Sequence, residues 1–185
     1  MDIQKLIEIV AYILNRNDGQ MDYYNLIKEC YIADRIAIEN TGYAMTGDTY
    51  VSMNRGPVLK NLYNLIKKQN SDKNQQQLWN DFFSTCEHKI KLTQDIAHEK
   101  LSRFEINVLN DVCQRFYKYS YAQMKEFSHR EGVFPEWQFV NKGEEKPIAM
   151  EDIMRALKFS EKDIQILINE QLSYEQEKKT LCNLN

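Results

Sequence analysis

Residues 33–57 read ADRIAIENTGYAMTGDTYVSMNRGP, and their reading decides the fold. They join the end of a helix to a polar turn, a β-rich run and a Gly-Pro step. On a helical wheel over residues 22–40, at 100° per residue, Leu26, Cys30, Tyr31, Ala37 and Ile38 share one arc. Asp34 falls near the middle of that arc. An arc that packs on a core calls for an apolar residue there. A carboxylate in such a place is either protonated or ionised and well partnered. The Thr46-Gly47-Asp48 turn offers backbone donors, so Asp34 is expected to anchor that turn to the helix. Arg35, at the rim of the arc, can bury its stem and keep its head polar. A breach of local pattern of this kind tends to mark a functional or strained place.

On the C-terminal side, residues 43–53 read as two short strands around Thr46-Gly47-Asp48, with high β-propensity in Thr49-Tyr50-Val51. Gly56-Pro57 reads as the entry to a third helix reaching about residue 68, because proline suits the first helical position. On the N-terminal side, Asp2 caps a helix over residues 2–15 with an apolar stripe of Ile3, Leu6, Ile7, Val10, Ile13 and Leu14. Asp22 caps the second helix and Thr41-Gly42 stops it.

Further along, residues 69–77 (QNSDKNQQQ) read as an exposed loop. Trp79, Phe82 and Phe83 return to the core, and residues 89–93 (KIKLT) alternate like a third strand for the hairpin. Ser102 with Glu105 forms a capping box, and Ser120 caps the next helix. Gly132, Pro135 and Trp137 mark an aromatic corner; helices follow over residues 151–159 and from Ser160 onward, with a polar tail after Ser173. The expected fold is mainly α (α+β): a single compact helical domain with a small antiparallel hairpin or sheet between helices. Residues 1–159 are expected to form that domain and residues 160–185 a helical extension.

The 185 residues carry a net charge of −3, with 43% hydrophobic and 28% charged residues. That composition fits a globular domain and gives no global attraction to nucleic acid or an anionic membrane. No apolar run reaches the ~18 residues of a membrane span, and the start, MDIQKLIEIV, lacks a basic n-region, so a cytoplasmic protein is expected. Cys30, Cys86, Cys113 and Cys182 are far apart and read as reduced thiols. Cys86 and His88 lack metal-knuckle spacing, and His98 and His129 are remote from them, so no metal is expected. There is no Gly-rich phosphate loop, and no cofactor is implied.

Several ordered features resemble the Panacea domain, the SocA-like antitoxin domain. They are Tyr31 with Ala33-Asp34-Arg35, Gly42, Thr46-Gly47-Asp48, Tyr50-Val51 with Met53, Gly56-Pro57-Val58 and Leu62-Tyr63. Leu101-Ser102 with Glu105, Ser128-His129, Trp137 and Pro147-Ile148 follow in the family's order. The resemblance implies a non-enzymatic antitoxin that neutralises a cognate toxin protein by direct binding. It supplies no catalytic residues.

A binding surface favours aromatic and arginine anchors. Two patches qualify: Tyr50, Met53 and Arg55 on the ribbon, and Tyr117, Tyr119 and Tyr121 with Trp137 nearby. The partner is a toxin or a second copy of the chain. The rival reading is a winged-helix-like regulator, with Arg55, Lys60, Lys67 and Lys68 forming a basic strip for DNA. Acid–base catalysis by Asp34 and Asp48 is a distant third.

Overall fold

The computed structural model describes residues 1–182. Helix α1 (Ile3–Asn15) starts where Asp2 accepts the Gln4 and Lys5 amides. It buries the stripe from Leu6 to Leu14. The short strand β1 (Gln20–Asp22) leads into α2 (Tyr23–Thr41), capped by the Asp22 side chain and ended by Gly42 at φ 79°. Helix α2 is the centre of the molecule. It touches α1, β1, β3 (Gly56–Leu59), α3 (Lys60–Ile66), α5 (Arg103–Phe116), α6 (Tyr121–His129) and α7 (Met150–Ala156).

The strands form two small antiparallel sheets. One has β5 (Lys89–Leu92) between β1 and β4 (Phe83–Cys86). The other has β2 (Tyr50–Met53) between β3 and β6 (Lys146–Ile148), with Tyr50 opposite both Leu59 and Ile148. The alternation of residues 89–93 does mark a strand, but it pairs with β1 and β4 and not with the hairpin. Alternation fixes which face is buried, not which strand lies alongside.

The hairpin also sits later than its sequence suggests. Residues 43–49 are irregular, and the two strands flank Asn54-Arg55. Gly56-Pro57 opens β3, and the helix begins only at Lys60. Proline is tolerated there because β3 is an edge strand, where its missing N–H costs the sheet no bond. Residues 69–77 are only partly loop, since Asp72 caps α4 (Lys73–Phe82). The two capping boxes, Ser102 with Glu105 and Ser120 with Gln123, start α5 and α6. The last helix, α8 (Glu161–Cys182), carries on past Ser173, where a polar tail was expected. It approaches the end of α2: Leu167 lies where a side chain on Gly42 would stand, and Gln171 donates to the Gly42 carbonyl.

The irregular segment 43–49 is held from two sides. Asp34 is fully buried. Its Oδ1 accepts the Met45 and Thr46 amides at 2.9 and 3.0 Å, and its Oδ2 accepts the Thr46 and Tyr50 hydroxyls. Two residues on, Asp48 reaches the other way. It accepts the Asn61 and Leu62 amides at 2.9 Å each, capping α3 from a distant loop because Leu59 has no side chain to do so. Thr46-Gly47-Asp48 is thus a clamp between α2 and α3.

Burial pushes the Asp34 carboxyl up to about 6, against the pull of its four donors. Asp34→Ala leaves those donors unanswered and is expected to cost about 3 kcal/mol. That lowers Tm by roughly 6–12 °C in a chain of this length. Because the folded carboxyl titrates above its unfolded value of 3.8, its contribution is complete at low pH and falls as pH rises through 6. The loss on Asp34→Ala is therefore larger at pH 5 than at pH 7.5, and Asp34→Asn, which mimics the protonated form, is milder. Urea melts at the two pH values check this; a Tm unchanged by Asp34→Ala refutes the anchor.

Candidate functional site: the hairpin tip and its cradle

One face of α2 carries Tyr24, Lys28, Tyr31 and Arg35 at helical spacing, and each reaches out to hold something. The Tyr24 hydroxyl donates to the Arg55 carbonyl at 2.9 Å and pairs with Ser128 at 3.0 Å. The Lys28 ammonium donates to the Pro57 carbonyl. The Tyr31 hydroxyl donates to Glu136 at 2.7 Å, and Arg35 Nε lies 2.9 Å from the same carboxylate. Arg35 also donates to the Val133 carbonyl. The aromatic corner is then sewn to the hairpin, with Trp137 Nε1 donating to the Met53 carbonyl at 2.9 Å and the Gln138 amide to Ser52.

Lys28 and Gly56 depend on each other. Pro57 stands opposite Ser52 and has no amide to give β2, so its carbonyl points off the sheet edge. Lys28, 1% exposed, takes that carbonyl. Gly56 has φ 106°, and a Cβ there would lie 2.8 Å from the Lys28 ammonium. Glycine is required twice over, by conformation and by space. Burial pulls Lys28 down to about 7. The next residue, Glu29, is pushed up to about 8 by burial, and its Oε2 finds no partner among the described residues.

These supports present a tip. Arg55 is exposed and lies 5.9 Å from the Tyr121 ring; Tyr121 packs on Tyr24. Met53 is half-buried beside Trp137, which stacks with His129 at 5.0 Å and meets Phe139 at 6.4 Å. Phe139 is 71% exposed.

The structure thus joins Met53, Arg55, Tyr121 and Trp137, which belonged to two patches in the sequence, into one surface. It adds His129 and Phe139, which pattern reading missed because a lone exposed phenylalanine carries no periodic signal. Tyr50 does not belong to this surface. It is 4% exposed, packs edge-on against Tyr31 and donates to Asp34. Tyr117 and Tyr119 line a separate hollow with Asn25 and Glu29, which Tyr121 also borders. Asp34, Arg35, Thr46, Asp48, Gly56 and Pro57 bind the framework together, while Gly47 sits exposed at the turn.

The basic residues of the proposed DNA strip do not form one. Arg55, Lys60 and Lys67 line a concave pocket with Tyr23, Tyr24 and Lys28, and Lys68 is not part of it. Helix α2 is buried along most of its length and offers no face to a DNA groove. Asp34 and Asp48 are engaged by main-chain and hydroxyl donors. Cys113 is buried, its thiol pushed up to about 12, so it offers no activated nucleophile to His129. Among the described residues, no three His, Cys, Asp or Glu side chains gather as metal ligands, and no helix is long and apolar enough to cross a membrane. Cys30, Cys86 and Cys113 are free thiols; the Cys182 side chain lies outside the described ones.

Gly56→Ala is expected to destabilise by about 2 kcal/mol through strain and displacement of Lys28. Lys28→Met in the same chain returns part of that loss. Lys28→Met alone removes a buried ammonium whose cost is fullest at and below pH 7, so its advantage over the natural chain shrinks as pH rises from 7 to 9. Paired denaturant melts of the four chains measure both effects; strict additivity of the two substitutions contradicts the contact.

No curated protein and no solved structure matches the chain. A family model does: Antitoxin SocA-like, Panacea domain, over residues 26–138. That span runs from α2 through the clamp and hairpin to Trp137 and Gln138, more than half of the sequence. On this match, the chain belongs to the SocA-like antitoxin, Panacea domain family.

Proposed function

We propose that the chain is the antitoxin of a toxin–antitoxin pair and neutralises a cognate toxin in the cytoplasm by direct binding, not by catalysis. Its family supports the antitoxin role. The observation that carries the binding surface is the tip: an exposed Arg55 and a half-buried Met53 on a doubly supported hairpin, flanked by the half-buried Tyr121 and Trp137 and the exposed Phe139. Arginine and aromatic side chains on a rigid base are the usual anchors of protein interfaces. Because the supports hold the backbone of Met53, Arg55 and Pro57, the anchors are preorganised, which lowers the entropy lost on docking. Residues 1–159 form the binding unit and residues 160–185 an extension, of which Leu167 and Gln171 meet Gly42.

Co-expression with the adjacent open reading frame tests the role. The neighbour alone is expected to arrest growth, and this chain to restore it and co-elute with its product by size exclusion. A harmless neighbour and no complex contradict the antitoxin reading. Arg55→Glu and Phe139→Ala are each expected to abolish rescue and co-elution with Tm unchanged, whereas Tyr117→Ala retains both. Wild-type complexes from Arg55→Glu and Phe139→Ala place the interface elsewhere.

A further inference from the structure

Beside the tip lies a pocket of about 480 Å³, a size that encloses a small molecule. Its charge runs against the rest of the chain. The protein carries a net −3, yet Lys28, Arg55, Lys60, Lys67 and Lys142 all line this hollow. The two acids at its rim are already engaged. Glu145 pairs with Lys60, and Glu144 accepts the Asn141 amide and side chain. Among the described residues, Lys28, Arg55, Lys67 and Lys142 have no carboxylate within ion-pairing reach. Lys67 leans on a ring, 4.1 Å from the Tyr23 centroid, and donates to the Tyr23 hydroxyl.

At the back of the pocket is Lys28. It is buried and gives one bond, to Pro57, out of the three that an ammonium can make. A buried cation with donors to spare, in a hollow whose other cations come from the hairpin, α3 and the loop before β6, calls for a multiply charged anion. A concave wall also argues against a duplex, whose phosphates run along an open surface. Tyr24 and Tyr63 add ring surface to the walls.

We propose that this pocket binds a small phosphorylated ligand, with Lys28, Arg55, Lys67 and Lys142 receiving its phosphate oxygens. The site does not depend on the toxin-binding reading.

Isothermal titration of the full chain with ADP, pyrophosphate and adenosine tests it. ADP and pyrophosphate are expected to bind and adenosine not to. ADP binding more tightly than pyrophosphate identifies a nucleotide that also uses the tyrosine walls; equal affinities identify phosphate recognition alone. Lys67→Gln and Lys142→Gln each weaken binding about tenfold, the worth of one charge-assisted bond. Lys142 is exposed and makes no ion pair among the described residues, so its variant keeps the fold, which circular dichroism verifies. No heat with either phosphate compound, adenosine binding as well as ADP, or affinity unchanged in both variants overturns the proposal. These variants lie outside the tip anchors, so loss of ligand binding with toxin rescue intact separates the two sites.

Discussion

The carboxylate of Asp34 is the constraint from which the rest of the structure follows. It sits where the helix pattern calls for an apolar group, and it is accommodated because four donors converge on it. Three of those donors come from a segment with no regular structure, which would otherwise leave its amides unpaired inside the protein, and the fourth is the Tyr50 hydroxyl at the start of β2. Once residues 45 and 46 are fixed, Asp48 is placed to cap α3, and Tyr50 is placed to start β2. A single side chain on the central helix thus sets where the hairpin leaves the core and where the next helix begins.

The same helix then supports the hairpin at its far end through Tyr24 and Lys28, and holds the aromatic corner through Tyr31 and Arg35. The arrangement is unusual in polarity. Lys28, Glu29 and Asp34 are all essentially buried on one helix. A hydrophobic helix of the same shape would be easier to stabilise, since buried charges lose hydration that their partners only partly replace. What polar tips give instead is direction: each bond names one carbonyl or one carboxylate and so fixes a register. The tip inherits its placement from these bonds, not from the small sheet it belongs to.

Much of the helical framework was legible in the sequence, because helix ends announce themselves locally. Asp2, Asp22, Ser102 and Ser120 each cap the helix that their spacing indicates. The position of Asp34 was legible for the same reason, as an exception to a periodic rule. What escaped was whatever depends on distant partners. Gly-Pro is equally suited to a helix start and to an edge strand, and only the pairing with β2 decides. Residues 89–92 announce a strand but not its neighbours. Lys28 and Glu136 look like ordinary surface charges until the carbonyl and guanidinium they meet are known. Tyr50 is amphipathic, and its ring suits a surface as well as a core.

The central strand of the hairpin sheet draws its second neighbour from a segment about a hundred residues further on, Tyr50 standing opposite Ile148. Closing so long a loop costs chain entropy before the pairing gives anything back. The corner that braces the tip, around Trp137, is also late in the chain. On a ribosome, the early helices can pack while the hairpin still lacks both its third strand and its aromatic brace. The tip is therefore assembled late: a nascent or truncated chain ending before residue 137 carries Arg55 but not the Trp137 bond that braces the hairpin.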